Sequence, residues 1–424
     1  MLKYNLPFYG LFYFWSPMLT RLNYLQLIKA YPSFITYGML HYFFSSFGQT
    51  FLISIFVPYF LQHFDITNLT FSYLYSGATI ASAAIIPWAG PLVDRIKIRY
   101  VSLAIGILLA VFCFGLSIIN GVIFLFFILL GLRFSGQGML TLTGSTATAR
   151  YFEANRGKAL SLNSIGLSIG ESILPLAITG LAAIMSWQQS WQMASALILI
   201  VFIPAVFLLV PQDHDFQQLR NPPNQQQSKL QRKKVLKDYK FWGLTLSMIF
   251  LPFFITGMFI HQNLLAENKG WTMEWMAVSF TGFGLVRIAT NLFSGPLIDY
   301  FTARRVFVIY LIPLVLGVMI LYFTDNKFAA IFYMLLLGIS TSLNSVSSSA
   351  LWAELYGIQF LGSIKSMVTT LIVFSSALGP LIIGWFLEKT GNLNLLLIIS
   401  VVLMIILTFI SGKIVNTYNR ESKS

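Results

Sequence analysis

The segment Gly90-Pro91-Leu92-Val93-Asp94 returns as Gly295-Pro296-Leu297-Ile298-Asp299, 205 residues further along a chain of 424. The same offset joins Gly38 to Gly243, Gly77 to Gly282, Arg99 to Arg304, Tyr151 to Tyr356, Gly157 to Gly362 and Pro175 to Pro380. A constant offset of nearly half the chain, with no insertion between the pairs, means that one structural unit is present twice. Any fold proposed for this chain must be built from two copies of it.

The solvent of those copies is lipid. Hydrophobic residues make up 57% of the chain and charged residues 10%, against roughly 25% charged in soluble domains. A hydrocarbon core of about 30 Å asks for about 20 apolar residues per helix. Twelve such runs can be read, at about 34–62, 70–93, 100–119, 121–150, 157–185, 190–210, 241–265, 274–298, 304–324, 327–353, 361–387 and 392–413. The expected fold is therefore an all-α membrane protein with twelve transmembrane helices in two pseudo-symmetric six-helix bundles, 34–210 and 241–413. The flanking pieces are an N-terminal segment 1–33, a basic linker 211–240 and a tail 414–424. Residues 6–19 are apolar but too short to span, and are expected at the interface or ahead of a start at Met18.

The net charge of +13 does not point to nucleic acid, because of where the charges fall. Among 27 Lys and Arg, only Lys269, Lys327 and Lys389 occupy loops on one side, and Arg133 and Arg287 lie within spans. The rest gather at or beyond the other face, a positive-inside asymmetry that places both termini and the linker in the cytoplasm. The run Lys229, Arg232, Lys233, Lys234, Lys237, Lys240 is read first as a topology determinant, with anionic membrane lipids as its alternative partner. The single cysteine, Cys113, permits no internal disulfide, and no Cys/His cluster has metal-ligand spacing. No phosphate-binding loop and no Ser-His-Asp arrangement can be picked out. Neither an enzyme, a metal nor a cofactor is expected.

Three ionisable residues lie deep within spans: Arg133, Glu171 and Arg287. Counted from the span ends, each sits roughly 18–21 Å along its helix at about 1.5 Å per residue, near the midplane. A charge there costs on the order of 2.5–3.5 kcal/mol, so it should face the bundle interior and have a partner. Arg133 and Glu171, on consecutive spans at matched depth, are expected to pair, either to orient two helices or to take part in substrate or proton binding. Arg287 has no acidic residue near its depth on its own span, and is expected to hold an anionic ligand. Polar stripes mark candidate cavity walls: Tyr37, His41, Ser45 and Gln49 on the first span, and Arg133, Gln137, Thr141, Ser145 and Thr148 on the fourth. The tenth contributes Ser340 to Ser349 with Asn344 among them. Small-residue helix packing would explain many of these serines equally well, and His41 is as readily a packing histidine as a proton carrier.

Residues 90–99, Gly-Pro-Leu-Val-Asp-Arg-Ile-Lys-Ile-Arg, resemble the G-x-L-x-D-R-x-G-R-R/K signature of the major facilitator superfamily. Gly90, Leu92, Asp94, Arg95 and Arg99 match, whereas Lys97 stands where glycine is preferred; the second copy keeps Gly295, Leu297, Asp299 and Arg304 but has Tyr300 for the first arginine. The resemblance covers the chain from about residue 34. It implies that Gly90, Asp94, Arg95, Arg99, Gly295, Asp299 and Arg304 form a conformational latch, with Asp94 facing the start of the eleventh helix near Gly362 and Asp299 that of the fifth near Gly157. It also implies that helices 1, 4, 7 and 10 line the path. Tyr151-Phe152-x-x-x-Arg156-x-x-Ala159, then Gly166, Gly170 and Leu378-Gly379-Pro380, look like the monocarboxylate and oxalate–formate transporter groups. Two departures are Tyr37 before Gly38 on the first helix and Phe283 one turn before Arg287, where monocarboxylate transporters carry acidic residues.

Two membrane-embedded halves about a midplane site are the architecture of a secondary transporter working by alternating access. The expected substrate is a small organic anion or monocarboxylate-like metabolite, with a proton as candidate co-substrate, carried by a monomer in the plasma membrane. Its expected binding residues are Arg287, Arg133, His41, Gln49, Gln137 and Asn344, with Glu171 as ion-pair or proton group. A multidrug or metabolite efflux antiporter is the alternative; Gly170-Glu171-Ser172-Ile173-Leu174-Pro175 departs from the glycine-proline motif of drug antiporters. A non-transporting sensor or assembly factor on the same fold is the third reading.

Overall fold

The computed structural model describes residues 23–152, 155–182, 184–209, 235–356 and 361–421. The stretch 6–19 and Lys229, Arg232, Lys233 and Lys234 of the linker lie outside the described residues, as do the surroundings of Gly295 and Gly362 and the side chains of Asp94 and Asp299 within their helices.

The described chain is helical in twelve spans. The first, α1, is a bent pair, Pro32–Gly48 and Thr50–Phe64. Then follow α2 (Asn68–Ala89), α3 (Ile98–Ile118), α4 (Val122–Tyr151), α5 (Arg156–Ala182), α6 (Trp187–Leu209) and α7 (Tyr239–Ile260). The rest are α8 (Met273–Phe301), α9 (Ala303–Phe323), α10 (Phe328–Tyr356), α11 (Leu361–Thr390) and α12 (Leu393–Glu421). Moving α4 forward by the repeat offset lands it on α10 to within one residue at each end. Local chemistry sets the starts. Thr67 caps α2, Ser186 and Gln189 form a capping box at α6, and Asp238 accepts the Lys240 N–H at 2.9 Å to open α7.

The helices form two bundles of six. Within them α1 packs on α5 and α4, α3 on α6, α7 on α11, and α10 on α8 and α9. Between them α5 lies along α8 and α2 along α11, with the far end of α1 against α7. Twelve crossings return the chain to the face it started from, so both described ends share one face. The lipid-facing surface keeps its apolar side chains exposed, such as Phe124, Ile200, Phe293 and Phe409, as expected when the solvent is hydrocarbon.

Where one uninterrupted run is expected over 34–62, α1 is broken. Gln49 adopts φ −86° and ψ 151°, and the two halves meet at 41°. Opposite this break, Arg133–Leu140 of α4 is a π-helical turn. A methyl group added to Gly48 would overlap the backbone of Leu132 and lie 2.7 Å from the Gln137 nitrogen; one on Gly136 would lie 2.7 Å from Gly48. Two glycines thus let the backbones of α1 and α4 touch, and both helices depart from regular geometry at the contact. A second π-helical turn, Ile198–Phe202, lies in α6.

Candidate functional site

The sequence expectation that Arg133 pairs with Glu171 is overturned. Glu171 of α5 pairs with Arg287 of α8, through Oε1 and NH1, across the seam between the bundles. Arg287 therefore has the acidic partner it was expected to lack, supplied by the other bundle. Counting along a helix gives height, but height does not fix the direction in which a side chain points around its helix axis.

The α5–α8 crossing explains the pair. A methyl on Gly284 would overlap Ser172 and the Ser168 carbonyl of α5. Thr281 Oγ1 donates to the Ser172 carbonyl at 2.9 Å. Thr281, Gly284 and Arg287 are spaced three apart, which lays them along one helix face, and that face meets Ser168, Glu171 and Ser172. On its other side Arg287 packs against α10: Ser342 Oγ donates to its carbonyl at 3.5 Å, and the guanidinium lies 5.4 Å from the Phe283 ring centroid. Phe283 thus occupies with a π face the position where an acid was sought.

The pair is buried and only half spent. Side-chain exposure is 14% for Arg287 and 6% for Glu171. Glu171 Oε2 and Arg287 Nε are both buried without a hydrogen-bond partner among the described residues. Buried polar atoms are normally satisfied, so one carboxylate oxygen and one guanidinium N–H stand open at the seam.

Arg133 has a different set of partners, all within the first bundle. NH1 donates to the Gly48 carbonyl at 3.0 Å and to Thr50 Oγ1 at 3.4 Å, and Nε donates to Thr79 Oγ1 at 3.2 Å. The guanidinium sits 5.0 Å from the Tyr75 ring centroid, and NH2 is buried without a partner. Arg133 therefore closes the break in α1, taking the Gly48 carbonyl, which the extended Gln49 leaves without a helical N–H. The physical reason for the misplaced pairing lies here. The π turn carries more residues per turn than the 3.6 period assumed for the α4 stripe.

His41 is fully buried, with Nδ1 at 2.9 Å from the Tyr37 carbonyl, Nε2 at 2.9 Å from Ser102 Oγ, and its ring against Phe202. Both ring nitrogens are spent, Nδ1 within α1 and Nε2 on packing α1 against α3. Gln49 lies at the break and Gln137 in the π turn, both half-buried; Asn344 is half-buried with Oδ1 unpartnered. Of the latch residues, Gly90 closes α2, Arg95 is exposed, and Arg99 lies 4.4 Å from the Phe207 ring centroid with Nε unpartnered. Arg304 pairs with Glu354 of α10 at 2.9 Å. A methyl on Gly157 would meet open space. Sequence reasoning missed Thr281, Ser172 and Gly284. The only signal for Thr281 and Gly284 was the three-residue spacing that ends on Arg287, and for Ser172 its place beside Glu171.

The sequence profile described as Major Facilitator Superfamily matches residues 38–280 and again residues 244–423. No curated protein matches the sequence. A solved bacterial homologue of the human lysosomal transporter Spinster, inward-facing and unoccupied, superposes with a TM-score of 0.73 at 12% identity, over 91% of this chain and 97% of that one. The nucleoside transporter NupG superposes with a TM-score of 0.71 at 13% identity, over 90% of this chain and 98% of that one. Identities this low establish a shared fold.

Proposed function

This chain belongs to the Major Facilitator Superfamily, and from that premise we propose that it carries a small organic anion together with a proton, with Arg287 as anion anchor and Glu171 as proton group. Secondary transport is the activity of the fold; the anion and the proton are the reading added here. The observation that carries it is the Glu171–Arg287 pair, which joins the two moving bundles and leaves Oε2 and Nε open.

A carboxylate is the ligand whose geometry suits a guanidinium, through two parallel N–H···O bonds. Two carboxylates cannot share one guanidinium without repulsion, so anion entry and protonation of Glu171 go together. The seam then exchanges one neutral arrangement for another: Glu171 with Arg287, or a protonated Glu171 beside Arg287 with its anion. Releasing Glu171 from Arg287 removes the buried ionic contact between the bundles, which is the contact that rocking must break. Arg133 adds positive potential to this level but is committed to the α1 break. Lysine and arginine asymmetry supports the orientation with both termini in the cytoplasm, and a single chain of two bundles supplies a complete seam as a monomer.

The test is uptake into proteoliposomes of labelled monocarboxylates, dicarboxylates, nucleosides and organic cations, with and without an inward proton gradient. Uptake of a carboxylate that rises with the gradient and is lost in Arg287→Gln is the expected result. Uptake confined to cations or to neutral nucleosides, or an Arg287→Gln protein that carries its carboxylate at the native rate, overturns the reading.

A further inference from the structure

On the face opposite the chain termini the bundles meet at a second polar contact, built without any ion pair. At the end of α7, His261 lies between helices Tyr239–Ile260 and Gln262–Lys269. His261 Nε2 is 3.2 Å from Ser72 Oγ of α2, and Gln262 Nε2 donates to Ser54 Oγ of α1 at 2.9 Å. Both contacts cross from one bundle to the other. All four residues are buried: His261 at 2%, Gln262 at 1%, Ser54 and Ser72 at 0% exposure. Polar side chains this deep at a bundle seam are satisfied only while the seam is closed, and water would satisfy them once it opens.

We propose that His261 and Gln262, with Ser72 and Ser54, form the gate that closes the transport path on the face opposite the termini. Gly384 of α11 is the hinge-side wall of this gate. A methyl there would lie 2.9 Å from both His261 Nε2 and Ser72 Oγ, so only glycine lets the two approach. The gate is held near its release point by its own hydrogen-bond accounts. His261 Nδ1 donates to the Gly257 carbonyl at 2.9 Å, which fixes the ring. The single Ser72 proton lies between the Asn68 carbonyl at 2.8 Å and His261 Nε2. Ser54 Oγ is spent on the Phe51 carbonyl at 2.9 Å while it accepts from Gln262, whose own Oε1 has no partner among the described residues. A closure made of two neutral hydrogen bonds, one amide oxygen short of saturation, opens without desolvating or stranding a charge. The central Glu171–Arg287 pair is instead strongly committed until a ligand relieves it. The two contacts divide the labour of a cycle: the outer one decides access, the inner one occupancy.

The inference needs only that the halves rock, and its test uses no transported substrate, so it stands or falls separately from the anion reading. Ser76, one turn below Ser72 on α2 and 3% exposed, is the reporter position. In a Cys113→Ser background, Ser76→Cys is labelled with a membrane-impermeant thiol reagent applied from the face opposite the termini. His261→Ala and Gln262→Ala each remove one closing bond and should speed labelling about twofold to tenfold, the range for losing one net hydrogen bond. Gly384→Ala, which removes no bond but wedges the contact, should speed it as well. Native Cys113, fully buried in α3, is the control in separate proteins that keep Ser76 and Cys113 and carry the same three substitutions, and should stay unlabelled. Unchanged labelling at position 76 in all three variants overturns the gate. So does a matching rise at Cys113, which would mean general loosening.

Discussion

The two halves share helix boundaries but not helix quality, and the paired positions show why. In the first half α4 and α6 each contain a π turn and α1 is broken at Gln49; their repeat partners α10 and α12 run as continuous α-helices. The offset matches Gly48 with Phe253, Gly136 with Thr341, and Arg133 with Gly338. A pair of facing glycines is what lets two backbones touch, and a guanidinium is what then satisfies the carbonyl that the break frees. The second half has facing glycines of its own, Gly257 of α7 and Gly379 of α11, but not at the positions that match Gly48 and Gly136, and no arginine stands at the Arg133 position; α7 and α10 stay regular there. The terminal-face ends differ in the opposite sense. Glu354 accepts from the Ala303 N–H and from Arg304 Nε, both at 2.9 Å, and so caps α9; its repeat partner is Ala149, and Arg99 is left with Nε unsatisfied. Duplication supplied one scaffold, and single substitutions then made one half strained at its centre and the other clamped at its rim.

Four experiments would break or sharpen that contrast. The largest effect is expected at the seam that joins the halves. Glu171→Gln leaves Arg287 as an uncompensated buried cation and should cost about 3–5 kcal/mol, read as a lower thermal midpoint in detergent. Combining it with Arg287→Gln should restore most of that stability while transport remains absent. A double variant no more stable than Glu171→Gln would mean that the two side chains are not coupled.

Next comes the centre of the first half. Gly48→Ala places a methyl against the backbone of Leu132 and Gln137, which cannot yield as a side chain can, and should cost about 1–3 kcal/mol. Phe253→Leu at the matching position of the second half is a mild large-to-small change of a half-buried side chain and should cost about 0.5–1.5 kcal/mol. Equal losses at the two sites would remove the distinction between the strained α1–α4 contact and its regular counterpart.

Smaller still is the rim clamp. Glu354 and Arg304 are 28% and 22% exposed, so Glu354→Gln should cost about 0.5–1.5 kcal/mol, much of it the N-terminal cap of α9. Faster hydrogen exchange at the start of α9 than at the start of α3 would be the local sign of it. The smallest effect is a gain. Ala149→Glu copies the clamp into the first half, offers an acid to Arg99, whose Nε has no partner among the described residues, and should add a few tenths of a kcal/mol. A destabilised Ala149→Glu protein would show that Arg99 already has its best environment against Phe207.

The sequence by itself determined the solvent, the twelve crossings and the duplication, and it set an expected height for each charge within a span. Those are properties of composition and of counting along a chain, and a helix converts count into height at a fixed rise. It could not determine which way a side chain faces, because direction depends on the local period and on what the neighbouring helix permits. Arg133 was therefore set against Glu171 on grounds of height and adjacency, yet the π turn and the Gly48–Gly136 contact turn it to the α1 carbonyl. Glu171 and Arg287 are 116 residues apart, and only the packing of α5 on α8 past Gly284 makes them partners. His261, Gln262, Ser54 and Ser72 carried no signal in sequence at all, being ordinary polar residues near helix ends. Tertiary structure alone made them a contact, since a contact between the two halves exists only once both halves are folded and placed side by side.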